Sequence, residues 1–134
     1  MKKIITTVAL FVVLMSSAQT QFEQGMAKAG GLWAEGKTGE ASAMYERIAA
    51  AEKNSWLPNY YVALVNTTTV FSEKDKAKAE LLLSKAQDAL DVEMIKDQNN
   101  AELYVMQALI YTGWVVQDPM TNGQKYLVKV MEAY

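Results

Sequence analysis

The chain has no cysteine and no histidine, and proline occurs only twice. Without cysteine there are no disulfides, so packing alone must hold the fold. Thiol nucleophiles and thiolate metal ligands are excluded by the same absence. Without histidine the commonest general base, the Ser-His-Asp triad and imidazole metal sites are excluded too. Paired carboxylates are what remains for catalysis. Glu23, Glu35, Glu40 and Glu46 fall close together, but Glu40 and Glu46 lie too far apart in helical phase to act as a pair. Acids near helix starts are in any case expected from the helix dipole. The expectation is a protein that is not an enzyme and carries no cofactor or metal.

Positive charge is also scarce and scattered. The densest group, "EKDKAK" at 73–78, sets two acids among its three lysines, and the chain as a whole carries a net charge of −2. Phosphate backbones are bound by clustered basic residues, so nucleic acid is not an expected partner. Long apolar runs are confined to one place. "MKKIITTVALFVVLMSSAQT" opens with Lys2 and Lys3, runs apolar from Ile4 to Met15, and ends in small residues with Ser16 and Ala18 placed for cleavage after Ala18. That order of parts is a secretory signal peptide. The alternative is a membrane anchor, but a bilayer span needs about 20 apolar residues and this run stops short. No cysteine follows it to take a lipid. The domain reading is therefore a leader over 1–18 and one helical domain over 19–134, periplasmic or secreted, without a stable membrane span. Removing the leader with its two lysines leaves 11 basic against 15 acidic residues, a net charge near −4.

What is present is helical periodicity. Ala41, Met44, Tyr45 and Ile48 repeat at i, i+3, i+4 and i+7. Ala79, Leu82, Leu83 and Ala86 repeat the same offsets, as do Leu127, Val130, Met131 and Tyr134. Before each stripe comes another apolar helix candidate, over about 22–35, 57–71 and 100–116. Capping patterns precede the periodic segments at Thr20-Gln21-Phe22-Glu23, Ser72-Glu73-Lys74-Asp75, Asn99-Asn100-Ala101-Glu102 and Thr121-Asn122-Gly123-Gln124. No stretch alternates as a strand would, and "VNTTTV" at 65–70 is short and isolated. The chain thus reads as three helix–turn–helix hairpins, repeated at a spacing typical of solenoids, in which each hairpin covers the apolar face of the last. Helix 100–116 is apolar almost all round and should be covered on several sides. The final stripe runs to Tyr134 with no stop signal, which suggests either a longer protein or self-association through 122–134.

"EGKTGEASAMYERIAA" at 35–50 resembles the turn and second helix of a tetratricopeptide repeat. Gly36 stands at the turn glycine, Ala41 at the small position where the two helices approach, and Tyr45 at the large aromatic position. Ala29 matches the small position of the preceding helix, where Leu32 stands in place of the usual aromatic, and Tyr104, Ala108 and Tyr111 match the first-helix pattern in the third hairpin. The pattern is degenerate: Lys53 replaces the closing proline, Pro58 comes later, the second turn "FSEKDKAK" is longer and lacks glycine, and the third interval is long. "WLPNYY" at 56–61 and "DPMTNGQKY" at 118–126 are similar to segments of exported TPR-like proteins of Bacteroidota, which usually continue with further helices. The resemblance implies an all-α, right-handed TPR-like α-solenoid of about three hairpins, truncated at its C-terminus, and carries no catalytic residues over.

By that resemblance the first helices of the hairpins line a concave face that binds an extended peptide or protein segment. Trp33, Tyr61, Asn66, Thr68, Gln107 and Trp114 are then the candidate partner-binding residues, since rigid aromatics and amides suit peptide contact. The competing reading makes the aromatics core and the amides solvated, as stripes at helical spacing usually are. For the threonines it is back-bonding to the preceding turn. The leading functional expectation is an exported, non-enzymatic scaffold or adaptor for a protein or peptide. The alternative is a carrier of a small molecule or lipid in the aromatic-rich interior of the third hairpin. "WVVQDPMTNGQKYL" at 114–127 reads as a hinge unless Asp118, Asn122 and Lys125 converge on the concave face.

Overall fold

The breaks between helices follow from a few residues. The computed structural model describes the backbone of residues 2–134 and the side chains from residue 17 onward. Its elements are α1 (Lys2–Ala34), α2 (Thr38–Ala51), α3 (Leu57–Val70), α4 (Lys76–Lys96), α5 (Ala101–Gln117) and α6 (Pro119–Ala133), with no strand among the described residues. The leader reading rests on side chains at 1–16, which lie outside the described residues. Gly36 ends α1 with φ of 78°. Its amide donates to Trp33 O and the Lys37 amide to Leu32 O, both at 2.9 Å. This is the Schellman arrangement, and glycine takes the left-handed backbone without a Cβ clash.

The helix starts fall one to three residues from the expected caps at three places. Asp75 caps α4, accepting from the Lys78 amide at 3.2 Å, and Asn100 caps α5, accepting from the Glu102 amide at 3.1 Å. Asp118 caps α6, accepting from the Thr121 amide at 3.0 Å, and Pro119 is the first helical residue. Proline opens α6 here rather than ending α5, because its missing N–H and fixed φ suit a first turn. Thr20 is not a cap at all. It lies inside α1, which continues unbroken because no glycine or proline interrupts residues 2–24.

Each helix packs against its chain neighbours, and α3 also packs against α5. This is an all-helical arrangement compatible with an α-solenoid. Two apolar clusters result. Ala29, Ala41, Tyr45, Val62 and Val65 join α1, α2 and α3. Ala63, Val70, Ala79, Leu83, Ala86, Leu90, Leu103, Met106 and Ile110 join α3, α4 and α5. Small residues set the closest approaches. Ala29 and Ala41 are fully buried, and a Cβ on Gly113 would lie 2.7 Å from Leu83 Cδ2, so glycine is what lets α5 sit directly on α4.

The third stripe departs from expectation. No residue of α6 is fully buried. It packs on α5 through Tyr126, whose ring stacks on Tyr111 (5.3 Å) and Trp114 (6.2 Å), and through Asn122, which donates to Trp114 O at 2.8 Å. That choice of face turns Leu127, Met131 and Tyr134 to solvent, and of the expected stripe only Val130 is partly covered. Helix α5 is likewise covered on fewer sides than its composition suggests, with Tyr104, Val105 and Val116 exposed.

Candidate functional site

Between α1 and α3, beside α2, lies a groove of about 410 Å³. Phe22, Glu23, Met26 and Gly30 of α1 form one wall and Leu57 and Tyr61 of α3 the other, with Tyr45 of α2 between them. Spacings of three and four residues keep Glu23, Met26 and Gly30, and Leu57 and Tyr61, on one face of their helices, with Phe22 beside Glu23. Tyr45 is 2% exposed and stacks on Tyr61 at 5.1 Å with the rings 15° from parallel. Tyr60 meets Tyr61 edge-on at 5.6 Å, and Trp56 meets Tyr60 edge-on at 5.3 Å. Such pairs stiffen the aromatic surface beyond their area. Burial, then the neighbouring Tyr61, pushes the Tyr45 hydroxyl pKa up, so it stays a neutral donor at physiological pH. Glu23 contributes the carboxylate of the lining.

Of the six residues singled out from the sequence, Tyr61 lines this groove. Trp33 is half-buried against the first cluster, and Trp114 packs on the second and stacks on Tyr126. Asn66 is buried, donating to Ser42 Oγ at 2.8 Å and to Val62 O at 2.7 Å. Gln107 is buried in a reciprocal amide pair with Gln87, at 2.7 and 2.8 Å. Thr68 donates back to Leu64 O at 2.8 Å, within its own helix. The amide donors of Asn66 and Gln107 are therefore engaged inside the chain. Phe22, Met26, Tyr45 and Leu57 line the groove but are not among those six, although Phe22, Met26 and Gly30 recur at the i, i+4, i+8 spacing of one helix face.

The buried polar groups form two structural ties. In one, Asn66 donates to Ser42, Ser42 donates to Glu46 at 3.0 Å, and Lys85 pairs with Glu46 at 2.8 Å, linking α3, α2 and α4. In the other, Glu93, 3% exposed, accepts from Asn59 at 2.6 Å and pairs with Lys96 at 3.0 Å. Lys96 also donates to Lys53 O at 3.1 Å, so the end of α4 is tied to the α2–α3 loop. A carboxylate this buried is tolerable only when paired and hydrogen-bonded. A second groove, about 460 Å³, lies beside the first tie and is lined by Glu46, Asn59, Val62, Leu81, Lys85 and Asp88. Among the described residues, no group of three or more acidic side chains is placed to hold a metal.

The segment 114–127 gathers its polar groups locally. Asp118 caps α6 and pairs with Lys76 at 3.1 Å, Asn122 bonds the end of α5, and Lys125 Nζ lies 4.8 Å from the Tyr126 ring centre. The Thr121 amide, with Lys76 beside it, holds the Asp118 carboxyl below its ordinary range. None of the three lines the α1–α3 groove. Comparison with protein-family models, curated proteins and solved structures gave no match.

Proposed function

We propose that this chain is an exported, non-enzymatic helical-repeat scaffold of the TPR-like kind, and that the α1–α3 groove receives an apolar segment of a protein partner. The observation that carries this reading is the groove itself. It lies between first helices of successive hairpins, is floored by the Tyr45–Tyr61 stack, and is walled by Phe22, Met26 and Leu57. An amphipathic helix or extended peptide anchors in such a groove by a few apolar side chains, while stiff aromatics lose little entropy on contact. Among the described residues no helix is long and apolar enough to cross a membrane. The carrier reading is weaker in the third hairpin, where Tyr111 and Trp114 both stack on Tyr126.

The test is capture from an envelope extract with three baits: the unaltered chain, Met26→Lys and Tyr61→Ala. A polypeptide retained by the first and lost from both variants, with helicity unchanged, supports the groove. Equal retention by all three, or a lipid extracted in place of a polypeptide, removes it.

A further inference from the structure

The α1–α3 groove holds two polar groups that the fold leaves open. Tyr45 is almost wholly buried, yet its hydroxyl has no hydrogen-bond partner among the described residues. It is not sealed in, because the sealed side-chain oxygen without a partner among those residues is that of Thr67. The Tyr45 hydroxyl therefore opens into the groove that its ring lines. A Cβ on Gly30 would lie 3.6 Å from it, so the wall of α1 beside the hydroxyl is bare backbone, where another backbone can approach closely. The second group is Glu23, exposed at the rim. The Gln19 amide reaches it from one turn earlier at 3.4 Å, and among the described residues it forms no ion pair. None of the lining residues is basic. Glu23 and Gly30 stand two turns apart on α1, which separates the two open groups by about 10 Å along the helix.

We infer that the groove binds an extended peptide segment carrying one arginine or lysine among apolar residues. The basic side chain lies against Phe22 and Glu23, and a backbone carbonyl further along accepts from the Tyr45 hydroxyl. This rests on the groove reading proposed above and names the partner's chemistry. A purely apolar segment would strip water from Glu23 and return no partner. A cation instead pairs with the carboxylate and with the face of an aromatic ring at once. The Tyr45 end favours an extended segment over a helix. Carbonyls inside a helix are already bonded to its own amides, whereas those of an extended chain are free. Burial keeps the Tyr45 hydroxyl a neutral donor for one of them. The spacing agrees, since at about 3.3 Å per residue an extended chain joins the two contacts in about three residues. Met26 lies between them on α1, and Leu57 and Tyr61 face it from α3, an apolar lining for the side chains in between.

The experiment selects phage-displayed random dodecapeptides on the full chain, with Glu23→Lys as a second bait and far-UV circular dichroism as the folding control. The inference predicts that the unaltered chain enriches peptides with a basic residue beside apolar ones, and that Glu23→Lys enriches an acidic residue in its place. A fluorescein-labelled copy of the best-enriched peptide is then titrated by anisotropy. Glu23→Gln should weaken its binding about tenfold. Replacing the peptide's basic residue by norleucine should cost as much on the unaltered chain and little on Glu23→Gln. Tyr45→Phe should weaken binding about fivefold and keep the basic preference. Peptides that are lost from Met26→Lys and Tyr61→Ala but show no basic preference overturn the inference and leave the groove reading standing. An affinity that Glu23→Gln leaves unchanged does the same. Peptides that bind every variant equally, or no enrichment at all, overturn both. Phosphatidylcholine vesicles are run alongside. Vesicle binding that Glu23→Gln abolishes, with no peptide enriched, gives the site to a lipid headgroup and overturns the inference.

Discussion

Thr67 is fully buried on α3, and its hydroxyl finds no hydrogen-bond partner among the described residues, while Thr68 and Thr69 donate back to Leu64 O and Val65 O. An unsatisfied buried hydroxyl costs free energy that an isosteric methyl does not. Thr67→Val should therefore stabilise the fold by up to about 1 kcal/mol, seen as a higher urea midpoint at unchanged slope. A loss of stability would mean that the hydroxyl has a partner. The glycines give an opposed pair. A methyl at Gly113 meets the buried Leu83, whereas at Gly31 it meets nothing within 4 Å. Overpacking should make Gly113→Ala destabilising by roughly 1–2 kcal/mol net of its helix-propensity gain, while Gly31→Ala gains roughly 0.5–1 kcal/mol. The same urea titrations check both. Back-bonding, the competing reading for the threonines, describes Thr68 and Thr69, whereas Thr67 one residue earlier turns into the core.

At the scale of elements, the apolar stripes at 41–48 and 79–86 were legible because each faces a neighbouring helix on two sides. The stripe at 127–134 was legible as a pattern but not as a surface. Periodicity gives the width of an apolar face, not which side the previous helix takes, and the Tyr126–Trp114–Tyr111 stack takes the other side. Helix starts drifted for a related reason: several short polar residues precede each helix, and which of them caps depends on the loop's path. The cap at Asp118 has a pH consequence. Its carboxyl is held below the ordinary carboxylate range by the Thr121 amide and Lys76, and that of Glu73 by the Lys78 side chain and the Asp75 amide. A native pKa below the unfolded one contributes stability above the ordinary carboxylate range, near pH 4, and that contribution is lost as pH falls through the native values. Thermal melts should therefore fall in midpoint from neutral pH to about pH 3. Asp118→Asn still caps but does not titrate, so it should show a shallower fall. An equal fall in both proteins would remove Asp118 from the explanation.

At the scale of the whole molecule, the aromatic groove between α1 and α3 is the surface on which the functional reading rests. Only Tyr61 among the residues chosen from the sequence reaches the groove. The walls of a groove come from the spacing between helices, which no single helix's pattern records, and Tyr45, read as a packing aromatic, serves both core and floor. The most direct measurement of the central claim is site-specific photo-crosslinking in the cell that makes the protein. A photoreactive residue is placed at Phe22, at Tyr61, and at the exposed Glu80 as control. The account predicts that Phe22 and Tyr61 crosslink to one and the same polypeptide and that Glu80 does not. Crosslinks equally frequent at all three positions, or to lipid alone from the groove, would contradict it.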